Sequence, residues 1–133
     1  MKKNMGIIQR ICFLLLIGVP LMPVWGRAEG IQARYLENSG SRSVLEIIIE
    51  DPAPSSIIVK QRIPQGIQIQ SASPIYAKFA AKENELKWLF KQPRPGVQRI
   101  VLEFSSPLPG KGATAVIRCK SPSDGTLMTT HAQ

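Results

Sequence analysis

Cysteine and histidine are scarce in this sequence, which has two cysteines, Cys12 and Cys119, and one histidine, His131, in 133 residues. Zinc sites use Cys and His in sets of three or four ligands, and these residues cannot supply such a set. His131 lies in a polar stretch near the end of the sequence, where we expect a solvated side chain rather than a member of a rigid Ser–His–Asp triad. The sequence therefore predicts no catalytic residue, no metal and no cofactor.

Patterns that bind phosphate or calcium are also missing. The stretch PGKGAT contains Gly-Lys-Gly without the rest of a phosphate-binding loop. The nine acidic residues are scattered and form no Asp/Asn-rich loop. An enzyme is therefore the least favoured class of function.

Long apolar runs are confined to the first thirty residues. Lys2, Lys3 and Arg10 precede a short apolar segment at 11–19, and Gly26 and Ala28 supply small residues before a cut after Ala28. This order is typical of a secretory signal peptide over residues 1–28, with cleavage after Gly26 as the next option. A membrane anchor is the rival interpretation, but a spanning helix needs roughly 20 apolar residues. Pro20, Pro23 and Arg27 interrupt this run earlier.

Removal of residues 1–28 changes the charge of the protein. Four of the 17 basic residues lie there and all nine acidic residues follow, so the net charge falls from +8 to +4. This decrease argues against nucleic acid as a partner, and no second apolar run predicts a membrane span after cleavage. Cys119 would be the only remaining thiol, so no internal disulfide is expected. It alternates with Ala115 and Ile117 and is predicted to be a buried small hydrophobe.

The rest of the chain shows only a weak helical spacing, at Tyr76, Phe79 and Ala80, and otherwise alternates apolar with polar residues between Pro/Gly turns. This pattern predicts an all-β, immunoglobulin-like antiparallel β-sandwich of about seven strands. The strands are predicted at 31–36, 43–51, 57–63, 67–70, 84–92, 97–105 and 113–120, with an irregular crossing at 71–85. The sandwich is expected to occupy residues 29–120, followed by a flexible polar tail at 121–133.

One face of each strand is predicted to form the core, because side chains at alternate positions share a face. The predicted core consists of Leu45, Ile47, Ile49, Ile57, Val59, Leu86, Trp88, Phe90, Ile100, Leu102 and Phe104. Trp88 could serve as a sugar platform, but its place between Leu86 and Phe90 favours the core. Pro64 and Gly66, in IPQG, are predicted to form a structural corner between one strand and its neighbour, because proline fixes φ and glycine accepts positive φ.

The order of motifs across 57–104 is also informative. The segment IIVKQRIPQGIQIQSASP is followed by ELKWLF and then by PRPGVQRIVLEF. This order resembles the conserved-repeat, immunoglobulin-like domains of bacterial and archaeal surface proteins, here in a single copy. The resemblance implies an exported protein, periplasmic or extracellular, and no catalytic residue. A stalk or spacer role, which suits tandem arrays, fits a single domain less well.

Five cationic residues lie on predicted outward faces: Lys60, Arg62, Lys87, Lys91 and Arg99. If their strands are neighbours, these residues would form a binding stripe for an anionic surface polymer or an acidic partner. The competing interpretation is that outward lysines only prevent strand edges from associating. The sequence thus favours an exported, non-catalytic protein that acts by binding or assembly at the cell envelope. The alternative is a structural or accessory subunit of a multi-protein envelope complex.

Overall fold

Residues 30–133 are described by a computed structural model, and all regular elements in this range are β-strands. The predicted all-β class is confirmed, with nine strands rather than about seven. The two additional strands lie in the predicted crossing at 71–85 and in the predicted tail. The strands are β1 (Ile31–Ser39), β2 (Arg42–Ile49), β3 (Ser56–Arg62), β4 (Ile69–Ser73), β5 (Lys78–Ala80), β6 (Glu85–Lys91), β7 (Gly96–Phe104), β8 (Thr114–Lys120) and β9 (Leu127–His131).

Two antiparallel sheets pack face to face as an immunoglobulin-like sandwich. One sheet has four strands in the order β1-β2-β7-β4, and the other has five in the order β5-β6-β3-β8-β9. Hairpins join β1 to β2, β5 to β6 and β8 to β9, whereas the remaining connections cross between the sheets. Strands that are distant in sequence therefore become neighbours, and this decides which outward side chains meet.

The core lies between the two sheets and follows the predicted alternation closely. Ten of the eleven predicted core residues are buried, and Phe90 is half-buried against them. Ile31, Ile63 and Ile117 are also at most 1 % exposed. Cys119 is buried, as predicted, and burial raises the pKa of its thiol. The inward faces of the strands are thus mainly apolar, with Ser43, Gln61 and Thr130 as buried polar exceptions, and the charged residues of the strands lie on the two outer faces.

The IPQG corner is present, but it does not join neighbouring strands as expected. Gly66 has a φ of +87°, and the N–H of Ile67 donates to the carbonyl oxygen of Pro64 at 3.3 Å. The corner carries the chain from β3 in the five-stranded sheet to β4 in the four-stranded sheet. The prediction that the second strand lies beside the first is therefore wrong, because a corner of this type can also end one sheet and begin the other.

Asn84 is buried and stabilises the corner through hydrogen bonds, although it lies about twenty residues after the IPQG segment. The Nδ2 of Asn84 donates to the carbonyl oxygens of Ile63 (3.3 Å), Pro64 (3.0 Å) and Ile67 (3.2 Å). The backbone carbonyl oxygen of Asn84 accepts a hydrogen bond from the N–H of Ile63 at 2.9 Å. Asn84 has a φ of 51°, a conformation in which asparagine is enriched among non-glycine residues. Three backbone carbonyl groups at the corner therefore have a hydrogen-bond donor within the protein.

The prediction of a flexible tail at 121–133 is wrong for residues 127–131. These residues form β9, which pairs with β8 from Val116–His131 to Lys120–Leu127. Thr130 is buried opposite Ile117, and the N–H of Tyr35 donates to the carbonyl oxygen of Gln133 at 2.9 Å. The stretch looked polar because its inward side chains are Met128 and Thr130, which are less apolar than those of the other strands.

The predicted signal peptide at 1–28 lies outside the described residues. Within residues 30–133 no helix is long and apolar enough to cross a bilayer.

Candidate functional site

The outer face of the five-stranded sheet brings lysines from three adjacent strands together. Lys60 on β3 is directly opposite Lys87 on β6, and Lys87 is in turn opposite Lys78 on β5. Directly opposed residues in an antiparallel pair project to the same side, with Cβ atoms about 5 Å apart. Three ammonium groups therefore share one row across the sheet, where like charges destabilise the pairing.

The same face carries further cations from β3, β6 and β8. The seven basic side chains on this outer side, hereafter the cationic face, are Lys60, Arg62, Lys78, Lys87, Lys91, Arg118 and Lys120. Glu85 is the one acidic residue on these strands, and it lies 3.5 Å from the guanidinium of Arg62. Among residues 30–133 no other ion pair reaches the cationic face. Most of its charge is therefore uncompensated.

Four of the five predicted cationic residues belong to this face, and Arg99 does not. Arg99 lies on β7 in the other sheet, where its guanidinium donates to the Oε2 of Glu46 at 3.1 and 3.2 Å. Alternation indicates that Arg99 points outward, which is correct, but it does not indicate which sheet contains the strand. The prediction of a single stripe that includes Arg99 is therefore wrong.

Three cations of the face were not singled out from the sequence. Arg118 and Lys120 lie on either side of the buried Cys119 in β8, so the same rule of alternation predicts that both side chains point outward. Lys78 lies on the short β5, inside the stretch that was predicted to be irregular. Its strand is specified by pairing with β6 rather than by a local pattern.

The outer face of the four-stranded sheet has a different charge arrangement. Its six charged residues, hereafter the charge-paired face, are Arg34, Glu37, Arg42, Glu46, Arg99 and Glu103. Three are basic and three are acidic, so the face is balanced. Arg34 and Arg99 both contact the carboxylate of Glu46, at 3.0 and 3.1 Å, and Arg42 lies 3.7 Å from Glu37.

The carboxylate of Glu46 is held in its ionised form by its neighbours. Burial alone would raise its pKa, but the hydrogen bonds and charges of Arg34 and Arg99 outweigh this effect and lower the pKa. Two arginines on one carboxylate give a structural ion-pair triad, which stabilises the sheet and leaves little charge for a ligand. The charge-paired face is therefore a poor candidate for recognition of an anion.

Trp88 belongs to the core, as the sequence predicts. It is 2 % exposed, and its indole Nε1–H donates to the carbonyl oxygen of Pro74 at 2.9 Å. The ring of Tyr76 packs edge-on against it with centroids 6.3 Å apart. A sugar cannot stack on a ring in this position, so Trp88 is not a binding platform.

His131 and Cys119 are not placed together. His131 is exposed on β9 opposite Val116, whereas Cys119 is buried in β8. Within the part of the chain that the structure describes, no group of three or more His, Cys, Asp or Glu side chains could hold a metal ion.

Comparisons with protein-family models, with curated proteins and with solved structures gave no match for this chain. The resemblance to conserved-repeat surface domains therefore stays a prediction from the sequence motifs.

Proposed function

We propose that this chain is an exported, non-catalytic binding protein of the cell envelope, periplasmic or extracellular, which recognises an anionic surface polymer through the cationic face. Export follows from the predicted signal peptide at 1–28 and from the resemblance to surface-protein domains. Absence of catalysis follows from the sequence, which offers no nucleophile with a positioned base. The fold is compatible with this role, because sandwiches of this type are common recognition domains.

The single observation that supports binding is the uncompensated charge of one face. Seven cations and one carboxylate lie on the outer side of the five-stranded sheet. A row of opposed lysines costs stability, and edge protection alone explains it poorly, since Lys60 lies on the central strand β3 rather than at an edge. Concentrated charge of one sign attracts polyanions and speeds their association.

The test uses the protein produced from the full chain and a column carrying polygalacturonate, with an uncharged polysaccharide as the control matrix. We expect retention on the anionic column alone, weakening as salt rises, because the exposed charges are screened within about 10 Å at 0.1 M salt. N-terminal sequencing of the exported product should begin at Glu29 or Arg27. Equal retention on both matrices, or a cytoplasmic product that retains residues 1–28, would contradict the proposal.

A second candidate function is an accessory subunit of an envelope complex, and a different surface favours it. A depression of about 460 Å³ at one end of the sandwich is lined in part by Leu89, Pro93, Pro95 and Val97. Leu89 is 44 % and Val97 60 % exposed, and exposed apolar side chains gathered around a depression are typical of protein contacts. Co-purification with an envelope protein that resists high salt and is lost on Val97→Glu would support this role over polymer binding.

A further inference from the structure

Part of the cationic face is concave. A depression of about 360 Å³ opens on the outer side of β3, β6 and β8. Its lining residues are Lys60, Arg62, Glu85, Thr114, Val116 and Arg118. Small-molecule sites usually have volumes of roughly 300–1,000 Å³, so this depression accommodates a group of the size of one sugar unit rather than a long stretch of polymer.

Three cations surround the depression, and two of them lack an acidic partner. Among the described residues no carboxylate lies within ion-pair distance of Lys60 or Arg118. Arg62 is engaged only loosely, at 3.5 Å from Glu85, and its side chain is 63 % exposed. An entering anion would therefore meet available donors on β3 and on β8.

The other lining groups distinguish between types of anion. Val116 is half-buried and provides an apolar surface between Lys60 and His131 in the pairing register. Glu85 supplies a carboxylate acceptor and Thr114 a hydroxyl. A phosphate group offers no hydroxyl hydrogens for Glu85 when it is fully ionised, and it is repelled by that charge. An acidic sugar carries an anionic carboxylate, hydroxyl donors and an apolar ring face, which match cations, Glu85 and Val116 respectively.

Shape also favours a flexible polysaccharide over a lipid surface. A planar bilayer can rest on the outer side of a sheet, but it does not enter a recess between side chains of three strands. A polysaccharide can place one unit in the recess while its neighbours follow the row formed by Lys60, Lys87 and Lys78. The row extends across three strands, about 10 Å at the usual strand spacing.

We infer that the depression lined by Lys60, Arg62, Glu85, Thr114, Val116 and Arg118 is a subsite for one uronate unit of an acidic polysaccharide. The inference rests on the proposed function and specifies its ligand class. The uronate carboxylate lies toward Lys60 and Arg118, and a ring hydroxyl donates to Glu85.

The test measures binding of a galacturonate trimer to the full-chain product by calorimetry, with a galactose trimer as the uncharged control. Val116→Phe fills the depression without changing any charge, and we expect the affinity for the galacturonate trimer to fall about tenfold. Lys111→Ala removes a charge from the turn between β7 and β8, outside the cationic face, and should change the affinity less than about threefold. Thermal unfolding of both variants verifies that the sandwich is intact.

The outcomes separate the subsite from the proposed function. If the trimer and polygalacturonate both bind and Val116→Phe has no effect on either, the subsite is refuted and the cationic face stands. If neither ligand binds, both proposals fail. If inorganic phosphate or vesicles of anionic phospholipid compete with the trimer as well as a second uronate does, the specificity for an acidic sugar is refuted.

Discussion

The two outer faces of the sandwich differ in how far their charged side chains are compensated by partners of opposite sign. On the charge-paired face three arginines accompany three glutamates, and Glu46 is shared between Arg34 and Arg99. On the cationic face seven bases accompany Glu85 alone, and three lysines lie side by side. Ion pairing stabilises the first arrangement, whereas the second lacks such compensation. Ion pairs on the first face contribute to the stability of the fold, whereas under the proposed function the uncompensated charge of the second face recognises a partner.

The largest expected effect on stability concerns the IPQG corner, which connects the sheet of the cationic face to the sheet of the charge-paired face. Asn84→Ala removes donors to three carbonyl groups and puts alanine at a φ of 51°. Lost hydrogen bonds and left-handed backbone together should lower the free energy of unfolding by about 3 kcal/mol. Denaturant unfolding measures this change. Gln65→Ala, an exposed change in the same corner, should stay within about 0.5 kcal/mol; a similar loss for both variants would show that Asn84 has no special role.

A smaller effect separates the two faces by their dependence on pH. The pKa of Glu46 is lowered in the folded state, so its ionised form stabilises the fold at pH above the unfolded pKa, and this stabilisation is lost as pH falls through the folded pKa. We expect Glu46→Gln to lower the Tm at pH 7 by a few degrees, with the difference from the unsubstituted protein shrinking below about pH 4.

Glu85→Gln on the cationic face is the matched control, since Glu85 has one exposed arginine partner at 3.5 Å. Its Tm should stay close to that of the unsubstituted protein at every pH. If the two substitutions have the same effect, the contrast between a structural and a functional face is lost.

The smallest expected effect has the opposite sign. Lys87→Glu places a carboxylate between Lys60 and Lys78, replacing two like-charge pairs with two opposite-charge pairs. We expect the free energy of unfolding to rise by about 0.5 kcal/mol while retention on polygalacturonate decreases. A gain in stability with a loss of binding would show that this row is kept for recognition. Reduced stability would indicate that Lys87 has a structural role instead.

The core was predictable because buried strand residues follow a local alternating pattern in the sequence. The extent of the cationic face was not predictable, because it depends on which strands pair. Alternation identified Leu45, Val59 and Ile100 as buried, since period-2 patterns follow directly from the pleat. Placement of Arg99 failed because strand pairing depends on contacts that are distant in sequence. The sequence did not predict β5, which carries Lys78, or β9 for a related reason. A short or polar strand has no clear pattern of its own and forms by pairing with the adjacent strand, β6 or β8 here. The depression in the cationic face is lined by residues of three strands, so no single strand shows a sequence pattern that predicts it.

The most direct measurement compares two double charge reversals that change the net charge equally. Lys60→Glu with Lys87→Glu alters the cationic face, whereas Arg94→Glu with Lys111→Glu alters exposed residues in the turns between strands. The affinity of each variant for polygalacturonate is measured at one salt concentration. The account predicts loss of binding for the first variant and affinity within about threefold of the unsubstituted protein for the second. Equal loss in both variants would mean that net charge alone governs retention, and it would contradict the assignment of a binding face.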